Sequence, residues 1–219
     1  MKKVEAVLFD LDGTLIDSID VYWRVFKEVL KRLGLPLGEK EKIIDTMLKG
    51  RNPWVDLFPE ISNDKDILRK AKEVERDLWP WVYRKYVRVF PEASDLLKKL
   101  KSMGIQTGII TSSWFEEDDP KEILELKNVA DVVVTKLDVK MFKPDPEPIL
   151  KGCEKMGISP QKVIYVGDAP VDIKAGKAAG VKTIGVLWGL SDREILTGEG
   201  TDEIAVNFDE LSKIIFSWI

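Results

Sequence analysis

The stretch Val7–Ser18, VLFDLDGTLIDS, is apolar from Val7 to Phe9 and then sets Asp10 and Asp12 two positions apart. A short apolar run stopped by turn residues reads as a buried strand. Side chains alternate along extended backbone, so Leu11 points away from the two acids, while Gly13 is free to take a positive φ. Either acid alone is an ordinary turn former or helix cap. What decides the fold is that similar runs recur: Gly108–Ile110 before Thr111, Val132–Val134, and Val163–Val166 before Gly167 and Asp168. A further run, Thr183–Leu187, follows the helix-like DIKAGKAAG.

Between these runs lie amphipathic helix patterns. SDLLKKLKSMG stops at Gly104 and EPILKGCEKMG stops at Gly157, each glycine being suited to a helix C-terminus. Strand alternating with helix predicts an α/β fold with a doubly wound parallel sheet, whose ligands sit outside the carboxyl ends of the strands. Residues 19–88 break the rhythm with helix-like patterns and no convincing strand. In IDVYWRVFKEVLKRLG, the residues Tyr22, Phe26, Val29, Leu30 and Leu33 share one helical face; Asp17 or Ser18 can cap its start and Gly34 its end. The expected organisation is a core of residues 1–18 and 89–219 carrying a helical insert, 19–88.

Composition narrows the chemistry. A chain of 219 residues with net charge −4 lacks the basic balance of a general nucleic-acid binder, though local cations could still receive a small anion. There is no histidine, which removes Ser-His-Asp catalysis and histidine-ligated zinc. Cys153 is the only cysteine, so no internal disulfide forms and the thiol reads as a small helical residue. The apolar start is interrupted by Glu5 and stopped by Asp10, short of a signal peptide, and no segment reaches membrane-spanning length. A cytoplasmic protein is expected.

The run ending at Val166 leads into VGDAPVDIKAG, which carries Asp168 and Asp172 to a second strand tip on the same sheet edge as Asp10 and Asp12. Two carboxylates about 4 Å apart repel by roughly 4 kcal/mol at an effective dielectric near 20. A divalent cation resolves that conflict, and all-oxygen ligation suits Mg²⁺ better than zinc. Thr111 offers a hydroxyl at a strand end, and Lys143 precedes Pro144, Pro146 and Pro148, which hold the approach extended and keep helix back until Pro148 or later. A lysine so placed either contacts phosphate as a point charge or sits on the surface.

DLDGT, a threonine ending the second strand, a lysine in KPDPEP, and GDAPVD stand in the order and rough spacing of the motifs of the haloacid dehalogenase-like (HAD) hydrolases, which the chain resembles over nearly its whole length outside the insert. The insert resembles the helical cap of the subgroup with phosphoglycolate phosphatases and β-phosphoglucomutase. The resemblance implies a Rossmann-like core and Asp10 as a nucleophile that becomes an aspartyl-phosphate, with Asp12 as general acid and base. It implies Thr111, Ser112 and Lys143 on the phosphoryl oxygens. It further implies Mg²⁺ held by Asp10, Asp168 and the Asp12 carbonyl, with Asp172 supporting that site. Ser112 stands where an asparagine often follows the threonine, and Glu92 where a glycine often follows the proline, Pro91.

Other features have plainer readings. Glu116–Asp119 reads as a solvated helix start beside Pro120, and the tryptophans, Trp79 and Trp81 among them, as packing within the insert. Lys49 and Arg51, flanking Gly50, face either substrate or water. The expected function is a Mg²⁺-dependent phosphatase acting on a small phosphorylated metabolite, without nucleic-acid or membrane partners. The alternatives are a phosphomutase of the same kind, or a non-catalytic phosphate-binding module.

Overall fold

The computed structural model describes residues 3–48, 52–113 and 119–219. In chain order the elements are β1 (Ala6–Phe9), β2 (Ile16–Asp17), α1 (Ile19–Arg32), α2 (Lys40–Leu48), α3 (Pro53–Asp56), α4 (Pro59–Ser62), α5 (Lys65–Tyr86), β3 (Arg88–Val89), α6 (Pro91–Ser102) and β4 (Gln106–Ile110). There follow α7 (Lys121–Val129), β5 (Val132–Val134), α8 (Glu147–Met156), β6 (Val163–Gly167), α9 (Pro170–Ala179), β7 (Lys182–Val186), α10 (Arg193–Gly198), β8 (Glu203–Ala205) and α11 (Phe208–Trp218). They fall into two compact units, one of residues 1–17 and 88–219, the other of residues 18–87.

The first unit is built on a six-stranded sheet of order β5-β4-β1-β6-β7-β8, parallel throughout. From β1 the chain builds outward through β4 and β5, then returns to the other side of β1 with β6. That reversal opens a crevice at the carboxyl end of β1. Alternation along the strands divides the core. Ala6, Leu8, Ile110, Val134, Val163 and Tyr165 pack with Ile149 and Cys153 of α8 and Ala175 and Ala179 of α9. Val7, Phe9, Ile109, Ile164 and Val166, offset by one residue, are equally buried on the opposite face.

Two strand features escape the sequence. β8 is short and begins on exposed Glu203, and β2 pairs antiparallel with β3 through Ile16↔Val89 and Asp17↔Arg88. Arg88 is thus a strand residue rather than part of a strandless insert. Helix α8 opens at Glu147, one residue ahead of Pro148, because proline fits the first turn, where its missing N–H has no intrahelical partner.

The second unit, described by itself, is helical. Helix α1 packs on α5, and Asp64 caps α5 by accepting from the N–H groups of Asp66 and Ile67 at 2.9 and 3.1 Å. The buried face of α1 is Val21, Val25, Phe26, Val29 and Leu30, so the apolar stripe is rotated from the expected one and Tyr22 and Leu33 lie half-buried at its margins. Ser18 stands at the N-cap position without a side-chain bond; its carbonyl accepts from Tyr22 N–H instead. Gly34 follows α1 with φ of +68°, as a helix stop requires. Trp54 is buried against Phe26, with ring centroids 3.6 Å apart, and Trp79 meets Tyr22, whereas Trp81 is 57% exposed. Packing therefore accounts for the first two tryptophans and not for Trp81. Among the described residues no helix is long and apolar enough to cross a membrane.

Candidate active site

Strand register brings the site together. Phe9 is level with Ile109 on one side and Val166 on the other, so Asp10, Thr111 and Asp168 emerge near one another from three adjacent strands. The Asp10 N–H continues the ladder by donating to the Val166 carbonyl at 2.8 Å, and the Thr111 N–H does the same to Val134 at 2.9 Å. The first side chains beyond the sheet are thereby fixed at its edge.

Lys143 is not a surface lysine. Its side chain is 6% exposed, and its ammonium donates to Asp10 Oδ1 at 2.5 Å, Asp172 Oδ1 at 2.6 Å and the Tyr165 hydroxyl at 3.1 Å. Asp172 also accepts from the Tyr165 hydroxyl at 3.0 Å and from Ala169 N–H at 3.1 Å. Asp168 accepts from Thr14 Oγ1 at 3.0 Å and from Leu190 N–H at 2.7 Å. Thr14 is held in turn, since its carbonyl accepts from Trp188 Nε1 at 3.0 Å.

Carboxylate oxygens of Asp10, Asp168 and Asp172, all buried, lie within 4.8 Å of one another. Burial raises the Asp10 carboxyl well above the usual range; Lys143 opposes that rise, while Asp172, Asp168 and Asp12 add to it. Asp168 is pushed up to about 7, first by burial and then by Asp172, against the pull of its bonds from Leu190 and Thr14. Burial works against the charge of Lys143, but Asp10 and Asp172 prevail and hold its proton well above the ordinary lysine range. Among the described residues one ammonium, that of Lys143, bonds to these acids, and it leaves part of their negative charge unmatched. An all-oxygen donor set with that unmatched charge fits a hard divalent cation. The space around Asp168 is made by absent side chains: a Cβ on Gly13 or on Gly189 would fall 2.3 Å from Asp168 Oδ2.

Asp12 is half-buried and its Oδ2 accepts from Ser113 Oγ at 3.4 Å. Thr111 is buried, and its hydroxyl accepts from Ser113 N–H at 3.0 Å, while Ser112 is exposed. Lys49 and Arg51 lie outside the described residues, as do Glu116–Asp118. Asp119 is buried, so it is no part of a solvated helix start, and α7 begins at Lys121. Sequence reasoning missed Thr14, Ser113 and Tyr165. Thr14 sits inside DLDGT, where a hydroxyl beside an acid is the available signal; Ser113 lies two residues past Thr111, where a hydroxyl at a strand end is the available signal, and Tyr165 reads only as strand core.

The sequence profile of the haloacid dehalogenase-like hydrolases matches residues 7–186, from β1 through β7. The chain belongs to that family. This HAD hydrolase is 37% identical over 186 residues to a Clostridium perfringens protein assigned as the pyrophosphatase PpaX, covering 84% of this chain and 85% of the relative. It is 29% identical over 232 residues to the phosphoglycolate phosphatase of Salmonella typhi, covering 96% and 92%. Among solved structures it is similar to a Thermotoga maritima protein assigned as a β-phosphoglucomutase, with TM-score 0.73, 25% identity, and 99% and 100% of the two chains covered.

Proposed function

We propose that this HAD hydrolase is a Mg²⁺-dependent phosphatase that cleaves a small phosphomonoester through an aspartyl-phosphate on Asp10. The observation that carries the reading is the Asp10 carboxylate itself, set at the end of the central strand with Lys143 2.5 Å from one oxygen and two further buried acids beside it. Mg²⁺ held by Asp10, Asp168 and the Asp12 carbonyl, with Asp172 in support, would supply the charge that this cluster lacks and neutralise an incoming phosphate.

The chain's own groups do the rest. Asp10 attacks phosphorus with a carboxylate oxygen, and the bond from phosphorus to the ester oxygen breaks. Asp12 gives its proton to the departing alkoxide. As a carboxylate it then takes a proton from water, whose oxygen attacks phosphorus and breaks the bond to Asp10, freeing phosphate. Lys143, Thr111 and Ser112 hold the phosphoryl oxygens while negative charge shifts among them. Substrate selection falls to the helical unit as a cap, with Lys49 and Arg51 as its selecting cations.

A phosphomutase would use the same groups with a second substrate hydroxyl in place of water, and the likeness to the Thermotoga maritima protein favours it as the second reading. Phosphate release from sugar phosphates, phosphoglycolate and nucleotides, each with and without Mg²⁺, tests both. Release that requires Mg²⁺ supports the phosphatase; isomerised sugar phosphate without free phosphate supports the mutase; neither product from any ester leaves a phosphate-binding module. Lys49→Ala with Arg51→Ala should reorder the substrates by kcat/KM and leave the Mg²⁺ requirement intact.

A further inference from the structure

An ammonium group has three N–H donors, and every one on Lys143 is spent inside the chain: on Asp10, on Asp172 and on the hydroxyl of Tyr165. If Lys143 is to receive a phosphoryl oxygen, one of these bonds must yield. The two carboxylate bonds are charge-assisted and short, 2.5 and 2.6 Å, whereas the bond to the neutral hydroxyl is 3.1 Å long. Withdrawing a donor from Asp10 or Asp172 would give up a charge-assisted bond between buried groups, which is costly. Withdrawing it from Tyr165 is not, because that hydroxyl keeps a bond of its own by donating to Asp172 at 3.0 Å.

We propose that Tyr165 is the positioning residue for Lys143, and that its hydroxyl is the partner exchanged for a phosphoryl oxygen when substrate arrives. The ring is fixed. Tyr165 has no exposed surface, sits in the core between the sheet and helices α8 and α9, and lies with its centroid 5.8 Å from the ammonium. It cannot follow the lysine outward, so it defines the point to which Lys143 returns after product leaves. The inference rests on the phosphatase reading, and it assigns a task to a buried hydroxyl outside the family-like motifs.

Tyr165→Phe keeps the ring and its packing and deletes only the hydroxyl. The expected result is a split. The variant's kcat falls about tenfold because Lys143 is less well held, while inorganic phosphate binds at least as tightly as to the wild type, since a donor has been released. Unchanged kcat, or phosphate affinity falling together with kcat, would overturn the proposal; a purely structural role would lower thermal stability and move neither quantity apart from the other. If the wild type hydrolyses no ester, the phosphatase reading fails by itself. Calorimetric titration of phosphate into both proteins then still decides this proposal, weaker binding by Tyr165→Phe counting against it.

Discussion

The carboxylate of Asp168 occupies the space that a side chain on Gly13 would need: a Cβ there would fall 2.3 Å from Oδ2, on a residue whose φ is +80°. Close approach and left-handed backbone thus coincide in the turn that carries the chain away from Asp10 and Asp12. Gly13→Ala should cost about 2 kcal/mol of stability from backbone strain alone. It should also lose most activity, because Asp168 has to move. Thermal melts and kcat measured together check this, and a variant with wild-type kcat would show that the position of Asp168 is not critical.

Thr14 reaches the same carboxylate from the side, donating to Oδ1 at 3.0 Å from a fully buried position. Thr14→Val preserves shape and removes the donor. The Mg²⁺ concentration for half-maximal activity should rise roughly tenfold, as outer-shell losses commonly do. Leu190 N–H still holds the other oxygen, so the fold should persist. An unchanged Mg²⁺ requirement would place the metal away from Asp168.

Asp168 titrates near 7 in the folded chain against an ordinary 3.8, so the fold binds its proton more tightly than the unfolded chain does. Stability from this group is complete below about 4 and is lost as pH rises through about 7, with a limiting slope of about 1.4 kcal/mol per pH unit. A cation that takes the proton's place reverses the loss. Magnesium should therefore raise the melting temperature more at pH 8 than at pH 5.5, and Asp168→Asn should flatten that difference. Equal shifts at both pH values would contradict the coupling.

Cys153 is buried on α8, and burial pushes its thiol up to about 11. In the native protein at pH 8 it should resist a thiol-specific disulfide reagent and react fully in denaturant. Rapid native labelling would mean that α8 opens locally.

How much of this was legible depended on what a residue's neighbours are. The apolar runs around Asp10, Thr111 and Asp168 announce a parallel sheet because strands buried on both faces have almost no other composition. The acids stand out because they interrupt those runs. β2 and β3, with two residues each, carry no periodicity, and β8 starts on exposed Glu203, so nothing separates them from loop. Ser18 has the right chemistry for a cap and does not make the bond. Tyr165 was hidden for the opposite reason, since its ring satisfies a core strand completely and only the fold shows its hydroxyl meeting a lysine 22 residues away. Lys143 could be read two ways until its partners, 133 and 29 residues distant along the chain, were in place.

In the proposed mechanism Asp10 carries the phosphoryl group between two half-reactions. The direct measurement is to mix the enzyme with a phosphomonoester labelled in its phosphate and Mg²⁺, quench in acid within the first turnover, digest, and locate the phosphate by mass spectrometry. Phosphate should be found on the peptide containing Asp10, labile to hydroxylamine as an acyl phosphate is, and absent from Asp10→Asn, which should keep its fold while losing turnover. Phosphate on a serine, threonine or lysine, or steady turnover by Asp10→Asn, would contradict the account.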